Sequence, residues 1–412
     1  MKETKKLLSR KAMLANHGSF NTLSPVSFME KLCKDIQEGN LVPIIGDTIR
    51  NAHIFDVDED QDIGILRPLK AKNSENVQSS DINKEFNVTE ELAKKWAEEG
   101  TYIRDLDEII SYPLNDDVQI ARVAQFYALM HNNPIVARRE YLVFLKEKLL
   151  QIAYQIAQIE DNAEEVVFIE QLHEERYYFS YSDIVAELDF PRFTANRVDP
   201  IKTLARLPLK VYITTSYHDF VERELEAAGK HPQSRLCFWN KQLSFDNLAP
   251  EHIPQAEYKP SEKCPVVYHL LGMEQYPASM VLSEDDYLEL LWALARDKQN
   301  ENHNGDGIIP PYFETVLNTS SLLLLGYRLH DWDLKILFRG LLRKPREQSS
   351  HRGISTAIHI DMDEQPWIKD TVQAKNYIKS FFKQAHIAVE FGDSDEFIAD
   401  LGREWAKWSG AS

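Results

Sequence analysis

Glu38-Gly39-Asn40-Leu41-Val42-Pro43-Ile44-Ile45-Gly46-Asp47-Thr48 decides how this chain is read. Five apolar residues end on a glycine, which is the length and character of a strand buried on both faces. Similar short runs, rich in β-branched residues, recur at 211–215, 266–271, 321–327, 354–361 and 387–391. Segments of helical spacing lie among them at 283–296, 331–343, 371–384 and 395–408, several opened by a Ser, Thr or Asp suited to cap a first turn. Apolar strands alternating with amphipathic helices predict an α/β fold: a Rossmann-like, doubly wound, mostly parallel six-stranded sheet covered on both sides.

From 84 to 188 the pattern changes. Helix formers and aromatics recur at three- and four-residue spacing over 90–99, 116–131 and 137–158, with a polar stretch at 160–165 and almost no strand signal. This predicts a helical insert domain. The expected organisation is an N-terminal arm (1–30), a sheet core (31–55 and 190–412), and a loop plus helical insert (56–189). The Asp-, Asn- and Ser-rich stretch 56–83 and the stretch 300–307 read as loops.

Composition narrows the function classes. Across 412 residues, 47 Lys and Arg face 65 Asp and Glu, a formal charge of −18 that repels a phosphate backbone over most of the surface. Direct nucleic-acid binding is disfavoured. No apolar run spans a bilayer, and the Lys-rich start lacks an apolar signal core, so no membrane partner and a cytoplasmic location are expected. Three scattered cysteines, Cys33, Cys237 and Cys264, form no C-x-x-C pair and are too few for a four-cysteine zinc site.

Ligands of open α/β sheets bind beyond the carboxyl ends of the strands, where strand order reverses. The residues there are Gly46-Asp47-Thr48, Ser216-Tyr217-His218-Asp219, Gly272, Gly326-Tyr327-Arg328, Asp361 and Gly392-Asp393.

With these motifs in order the chain resembles the SIR2-like (sirtuin-like) family. Residues 38–46 look like its first strand and phosphate loop. Tyr212-Ile213-Thr214-Thr215-Ser216-Tyr217-His218-Asp219 is similar to its Thr-Thr-Asn-Tyr-Asp strand end. Val267-Tyr268-His269-Leu270-Leu271-Gly272, followed by 281–287, resembles its His-Gly strand and next helix, and the stretch from Leu324 to Asp333, with Phe338-Arg339-Gly340, is the most specific piece. The resemblance runs from about 41 to 405. It implies NAD as substrate or ligand, and one of two activities: lysine deacylation at the expense of NAD, or outright NAD hydrolysis. Deacylases of the family carry a four-cysteine zinc module that these cysteines cannot form, so the resemblance implies the zinc-free, NAD-hydrolysing bacterial defence branch. It also implies a homo-oligomer acting beside a co-encoded ATPase or other defence partner. The alternative is a catalytically silent scaffold or sensor that binds NAD or ADP-ribose.

Several of these candidates have two readings. Gly46 lets helix-start amides approach a pyrophosphate, whereas Asp47-Thr48 replaces the family's Ala-Gly and either contacts ligand or caps the next helix. Ser216 stands at the family's asparagine and His218 at its aspartate; His218 is either a base near neutral pH or a loop histidine capping the helix that follows Asp219. His269 is either an alternative base or a core histidine, since Leu271 occupies the place directly before Gly272. Gly326 permits close backbone approach, Tyr327 follows it, and Arg328 can pair with phosphate. Asp331 and Asp333 complement a helix N-terminus, and Trp332 either packs in the core or stacks on a ring. Asp361 either accepts from ribose hydroxyls or closes a turn, and Gly392 and Asp393 close the adenine end.

Overall fold

The structure is a computed structural model. It describes residues 25–55, 88–99, 101–103, 108–117, 119–191, 198–240, 248–249, 252, 258–297, 308–327, 332–341, 356–360, 370–383 and 387–410. Arg328, Asp331 and Asp361, the arm up to residue 24 and the predicted loops at 56–83 and 300–307 lie outside these.

Strands β1 (Leu41–Ile45), β4 (Val211–Thr214), β5 (Gln233–Leu236), β6 (Val266–His269), β7 (Ser321–Tyr327), β8 (Thr356–Ile360) and β9 (Ile387–Phe391) form one sheet in the order β5-β6-β4-β1-β7-β8-β9. Every neighbouring pair is parallel. The sheet therefore has seven strands, where the apolar runs predict six. The added strand, Gln233-Ser234-Arg235-Leu236, lies at one edge, where a strand needs an apolar side chain on only one face and leaves no apolar run in the sequence. At the centre, β1, β4, β6 and β7 are buried along their whole length, and edge strand β9 alternates between buried and exposed.

Pro43 stands in the central strand, where a residue without an N–H ordinarily breaks the ladder. Gly46 N–H donates to Leu325 O on β7 and Thr215 N–H to Ile45 O. Alternation along the strand thus turns Pro43 towards β4, and the β1–β4 register begins only at Ile44↔Ile213. The missing donor falls where no ladder partner is required.

Around the sheet run helices α1 (Pro25–Gln37) and α2 (Thr48–Phe55), then α3 (Val88–Glu99), α4 (Ile120–Met130), α5 (Pro134–Ile159), α6 (Ala163–Glu175), α7 (Tyr181–Glu187) and α8 (Pro200–Arg206). They continue with α9 (Phe220–Ala227), α10 (Glu284–Asp297), α11 (Pro311–Thr319), α12 (Trp332–Ile336), α13 (Thr371–Lys383) and α14 (Ser394–Ser409). A π turn, Leu337–Leu341, extends α12, so the regular helix read over 331–343 is broken there. Between α3 and α4 a short antiparallel hairpin, β2 (Thr101–Ile103) and β3 (Glu108–Ile110), adds strands to a stretch that shows no strand signal in sequence.

α5 is the long helix between β1 and β4. It starts on Asn133, whose side chain accepts from Ile135 N–H, and on Pro134, whose absent N–H would be an orphan there in any case. It packs on α2, α7 and the turn Pro277–Ser279. Its Arg138 is buried and donates to Asp286 at 2.6 Å and to Ala278 O at 3.2 Å, while Asp286 accepts from Leu282 and Ser283 N–H at the start of α10. The guanidinium so ties the long helix to the loop after β6. Among the described residues, no helix is long and apolar enough to cross a membrane.

Candidate functional site

From β1 the chain builds β4, β5 and β6 on one side of that strand and then crosses to β7, β8 and β9 on the other. The switch point is therefore between β1 and β7, and the backbones there touch. A Cβ on Gly46 would lie 2.2 Å from Gly326 O. Gly326 occupies the left-handed region (φ +71°) at a register irregularity between Leu324 and Tyr327, a bulge of the type that requires glycine. A Cβ on it would lie 2.4 Å from Ile49 Cγ1. Thr48 Oγ1 donates to Gly326 O at 2.6 Å. Both glycines thus let the start of α2 seat directly on the end of β7.

At the end of β4 the polar groups form a chain. Thr214 Oγ1 donates to Ile45 O and accepts from Ser216 N–H; Ser216 Oγ donates to Asp47 Oδ1 at 2.7 Å and accepts from His218 N–H at 3.3 Å. Thr215 Oγ1 and the Tyr327 hydroxyl share a hydrogen bond of 3.2 Å. Asp47, Thr48 and Asp219 are half-buried, whereas Thr215 through His218 are buried.

Behind this chain lie two histidine–carboxylate pairs. His218 is wholly enclosed: its ring is 4.6 Å from that of Tyr181 and 5.2 Å from that of Phe220, and Nδ1 lies 3.2 Å from Glu274 Oε1, off the line of a hydrogen bond. Glu274 accepts from Tyr181 N–H (2.8 Å) and from the Ser182 hydroxyl (2.6 Å). His269, also buried, has Nε2 2.7 Å from Glu222 Oε1 and Nδ1 3.2 Å from Ser216 O, and Glu222 accepts from Ser234. Burial opposes the charge on both imidazoles, but Glu274 and Glu222 outweigh it and hold each histidine above its ordinary value. Burial likewise opposes the carboxylates, and the facing histidines with the hydroxyl donors hold both below theirs.

His218 stands past the end of β4 but is buried, and it is not the helix cap: Asp219 is the N-cap residue of α9, without a side-chain cap bond. The Asp219 carboxylate turns to Arg223 (2.7 Å), which also pairs with Asp183. Gly272 (φ +101°) packs against Ser279, where a Cβ would meet the carbonyl oxygen at 2.3 Å. Its turn brings Glu274 N–H to Tyr217 O, and so sets the Glu274 carboxylate against His218. Asp333 accepts from the Tyr287 hydroxyl at 2.9 Å, and Trp332 stacks on the same ring.

Gly46, Asp47, Thr48, Ser216, His218, His269, Gly326 and Tyr327 are thus joined through contacts at the ends of β1, β4, β6 and β7. Gly392 and Asp393 stand apart at the end of β9, where the Asp393 carboxylate caps α14 by accepting from Asp395 and Glu396 N–H. Glu222 and Glu274 carry no sequence signal, because one is a helix glutamate and the other a loop glutamate whose burial depends on distant segments. Among the described residues, no group of three or more His, Cys, Asp or Glu side chains is placed to hold a metal ion.

A parallel, doubly wound α/β sheet gathers its polar side chains at the switch point, the place where ligands of such sheets bind. Residues 210–386 match the SIR2-like domain family. No curated protein matches the chain. The matched span contains Ser216, His218, His269 and Gly326; Gly46, Asp47 and Thr48 lie before it and Gly392 and Asp393 after it.

Proposed function

We propose that this protein is a SIR2-like NAD+ glycohydrolase, cleaving NAD to nicotinamide and ADP-ribose. SIR2-like domains bind NAD, and the observation that carries the reading is the polar chain Asp47–Ser216–His218 at the strand ends beside the β1/β7 switch point. The dinucleotide would lie across the strand ends, with adenosine towards Gly326 and Gly392 and nicotinamide towards Ser216. Cleavage of the glycosidic bond passes through an oxocarbenium-like state captured by water. In this arrangement His218 acts through Ser216: the enclosed ring, fixed by Glu274, sets the backbone N–H that orients the hydroxyl. In the same reading the enzyme is a cytoplasmic antiviral effector that works without zinc, as a homo-oligomer beside a co-encoded ATPase or similar partner.

A second reading is a silent NAD or ADP-ribose-binding subunit of a larger assembly. It is favoured by the burial of both histidines, each held on a carboxylate and covered from solvent. Purified protein incubated with NAD, alone and with its partner, decides between them by the appearance of nicotinamide. Nicotinamide release under either condition supports the enzyme; NAD binding without release under both supports the silent subunit.

A further inference from the structure

The acidic groups at the strand ends are not equivalent. Glu222 and Glu274 are buried behind histidines, and the Asp219 carboxylate is turned onto Arg223. Asp47 is placed differently, although its charge also acts on His218. It follows the glycine at the end of β1, is half-buried, and is held by a neutral donor, the Ser216 hydroxyl, at 2.7 Å. The hydroxyl is itself fixed, since it accepts from His218 N–H, and Ser216 N–H donates to Thr214 Oγ1. The carboxylate is therefore aimed by a short relay that begins in the strand ladder.

The charge of Asp47 acts on buried tyrosines and on the His218 imidazole, whose protonated form it favours. Burial is the main force that raises the hydroxyl pKa values of Tyr141, Tyr181 and Tyr217, and the Asp47 charge adds to it in all three, as does that of Glu274 for Tyr141 and Tyr181. Tyr141 and Tyr217 meet edge to face at 5.8 Å, and Tyr181 lies against His218. Aromatic faces and carboxylates together favour a cationic ring over a phosphate.

We propose that Asp47 is a catalytic carboxylate of the glycosidic cleavage, facing the nicotinamide ribose rather than the pyrophosphate. This rests on the NAD-hydrolysis reading above. The C1′–N1 bond breaks with its electron pair remaining on nicotinamide, which leaves neutral. The positive charge passes to the ribose, opposite the carboxylate. A water oxygen then bonds to C1′, and its proton goes to Asp47 and on to solvent, giving ADP-ribose, nicotinamide and one proton.

The test uses the purified full chain, with calorimetric binding of NAD+, NADH and ADP-ribose and chromatographic measurement of nicotinamide. Asp47→Asn keeps the shape and the acceptor for Ser216 but removes the charge. It is expected to lower kcat on the order of 10²–10³-fold, and to erase the preference for NAD+, with its cationic nicotinamide ring, over NADH, whose ring is neutral. ADP-ribose affinity should stay within roughly twofold, because no charge beside the phosphates has changed. Asp47→Glu should restore part of the turnover, and Ser216→Ala should reduce kcat less than Asp47→Asn with KM unchanged.

Unchanged turnover and unchanged NAD+/NADH preference in Asp47→Asn would overturn the assignment and leave the hydrolase reading standing. So would ADP-ribose binding tightened about tenfold, which would place the carboxylate beside the phosphates. Wild-type protein that binds NAD+ without releasing nicotinamide would remove the catalytic role, and wild-type protein that binds neither NAD+ nor ADP-ribose would overturn the hydrolase reading with it.

Discussion

Thr48 Oγ1 donates a 2.6 Å hydrogen bond to Gly326 O, joining the start of the helix after the first strand to the bulge that ends β7, 278 positions later. The bond closes the contact at which strand order reverses, so it bears on both stability and the shape of the site. Thr48→Val, which removes only the donor, should cost about 1–2 kcal/mol. Gly326→Ala must tolerate a left-handed backbone and a Cβ 2.4 Å from Ile49, and should cost about 2–5 kcal/mol as strain and overpacking combine. Urea unfolding midpoints of the two variants check the order: the alanine is expected to be clearly the worse.

The His218–Glu274 pair sets a pH window. Glu274 is held below its ordinary 4.5, so its contribution is complete above that value and is lost as pH falls through the depressed one. His218 is held above its ordinary 6.5, so its contribution is complete below 6.5 and is lost as pH rises through the raised value. Glu274→Gln should therefore destabilise the protein most between pH 4.5 and 6.5, by about 3 kcal/mol. The gap should narrow under alkaline conditions. Denaturation of wild type and variant from pH 5 to 9 measures it, with the His269–Glu222 pair common to both. A gap independent of pH would refute the pairing.

His359 behaves in the opposite sense. It is buried on β8, with Nδ1 3.1 Å from Ser394 Oγ and its ring 4.7 Å from that of Phe397. Burial depresses its pKa to about 4, and Asp393 offsets only part of this. Between pH 6.5 and 4 the unfolded chain takes up a proton that the native state refuses, so stability falls as pH falls, by about 3 kcal/mol across the window. His359→Gln should flatten that slope in thermal melts between pH 7 and 4.5.

Arg50 holds two carboxylates, Asp199 at 2.8 Å and Glu224 at 2.9 Å, and lies over the Phe220 ring. Asp199 also caps α8 by accepting from Ile201 and Lys202 N–H. Burial holds Asp199 above its ordinary value even with the guanidinium present, and Glu224 adds to the effect. Arg50→Ala leaves both anions uncompensated and should cost about 3 kcal/mol at neutral pH. As pH falls Asp199 protonates at a pH above its ordinary 3.8, so part of the loss should be recovered on acidification; a deficit that grows instead would contradict this.

Much of the sheet was legible because a strand buried on both faces must be apolar throughout. Leu41–Ile45 and Ser321–Tyr327 show this in the sequence, and their bounds agree with the structure. Strand Gln233–Leu236 was hidden because an edge position tolerates Gln, Ser and Arg. The hairpin Thr101–Ile103 with Glu108–Ile110 was hidden by its three-residue arms, too short to display a period. In the site, glycine and polar residues just after apolar runs marked Gly46, Asp47, Ser216 and Gly326. Nothing local marked Glu222 or Glu274, since surface glutamates have the same flanking patterns.

By itself the sequence determined the alternation of buried strands and amphipathic helices, and with it a parallel α/β sheet whose polar residues cluster at the strand ends. Periodicity is a local property, and burial on both faces imposes it residue by residue. Only the tertiary structure decided which polar groups meet: that Ser216 holds Asp47, that Glu274 encloses His218, and that His269 lies on Glu222. A carboxylate buried beside an imidazole differs from one in water only through what other segments place around it, and those contacts exist only once the chain has closed.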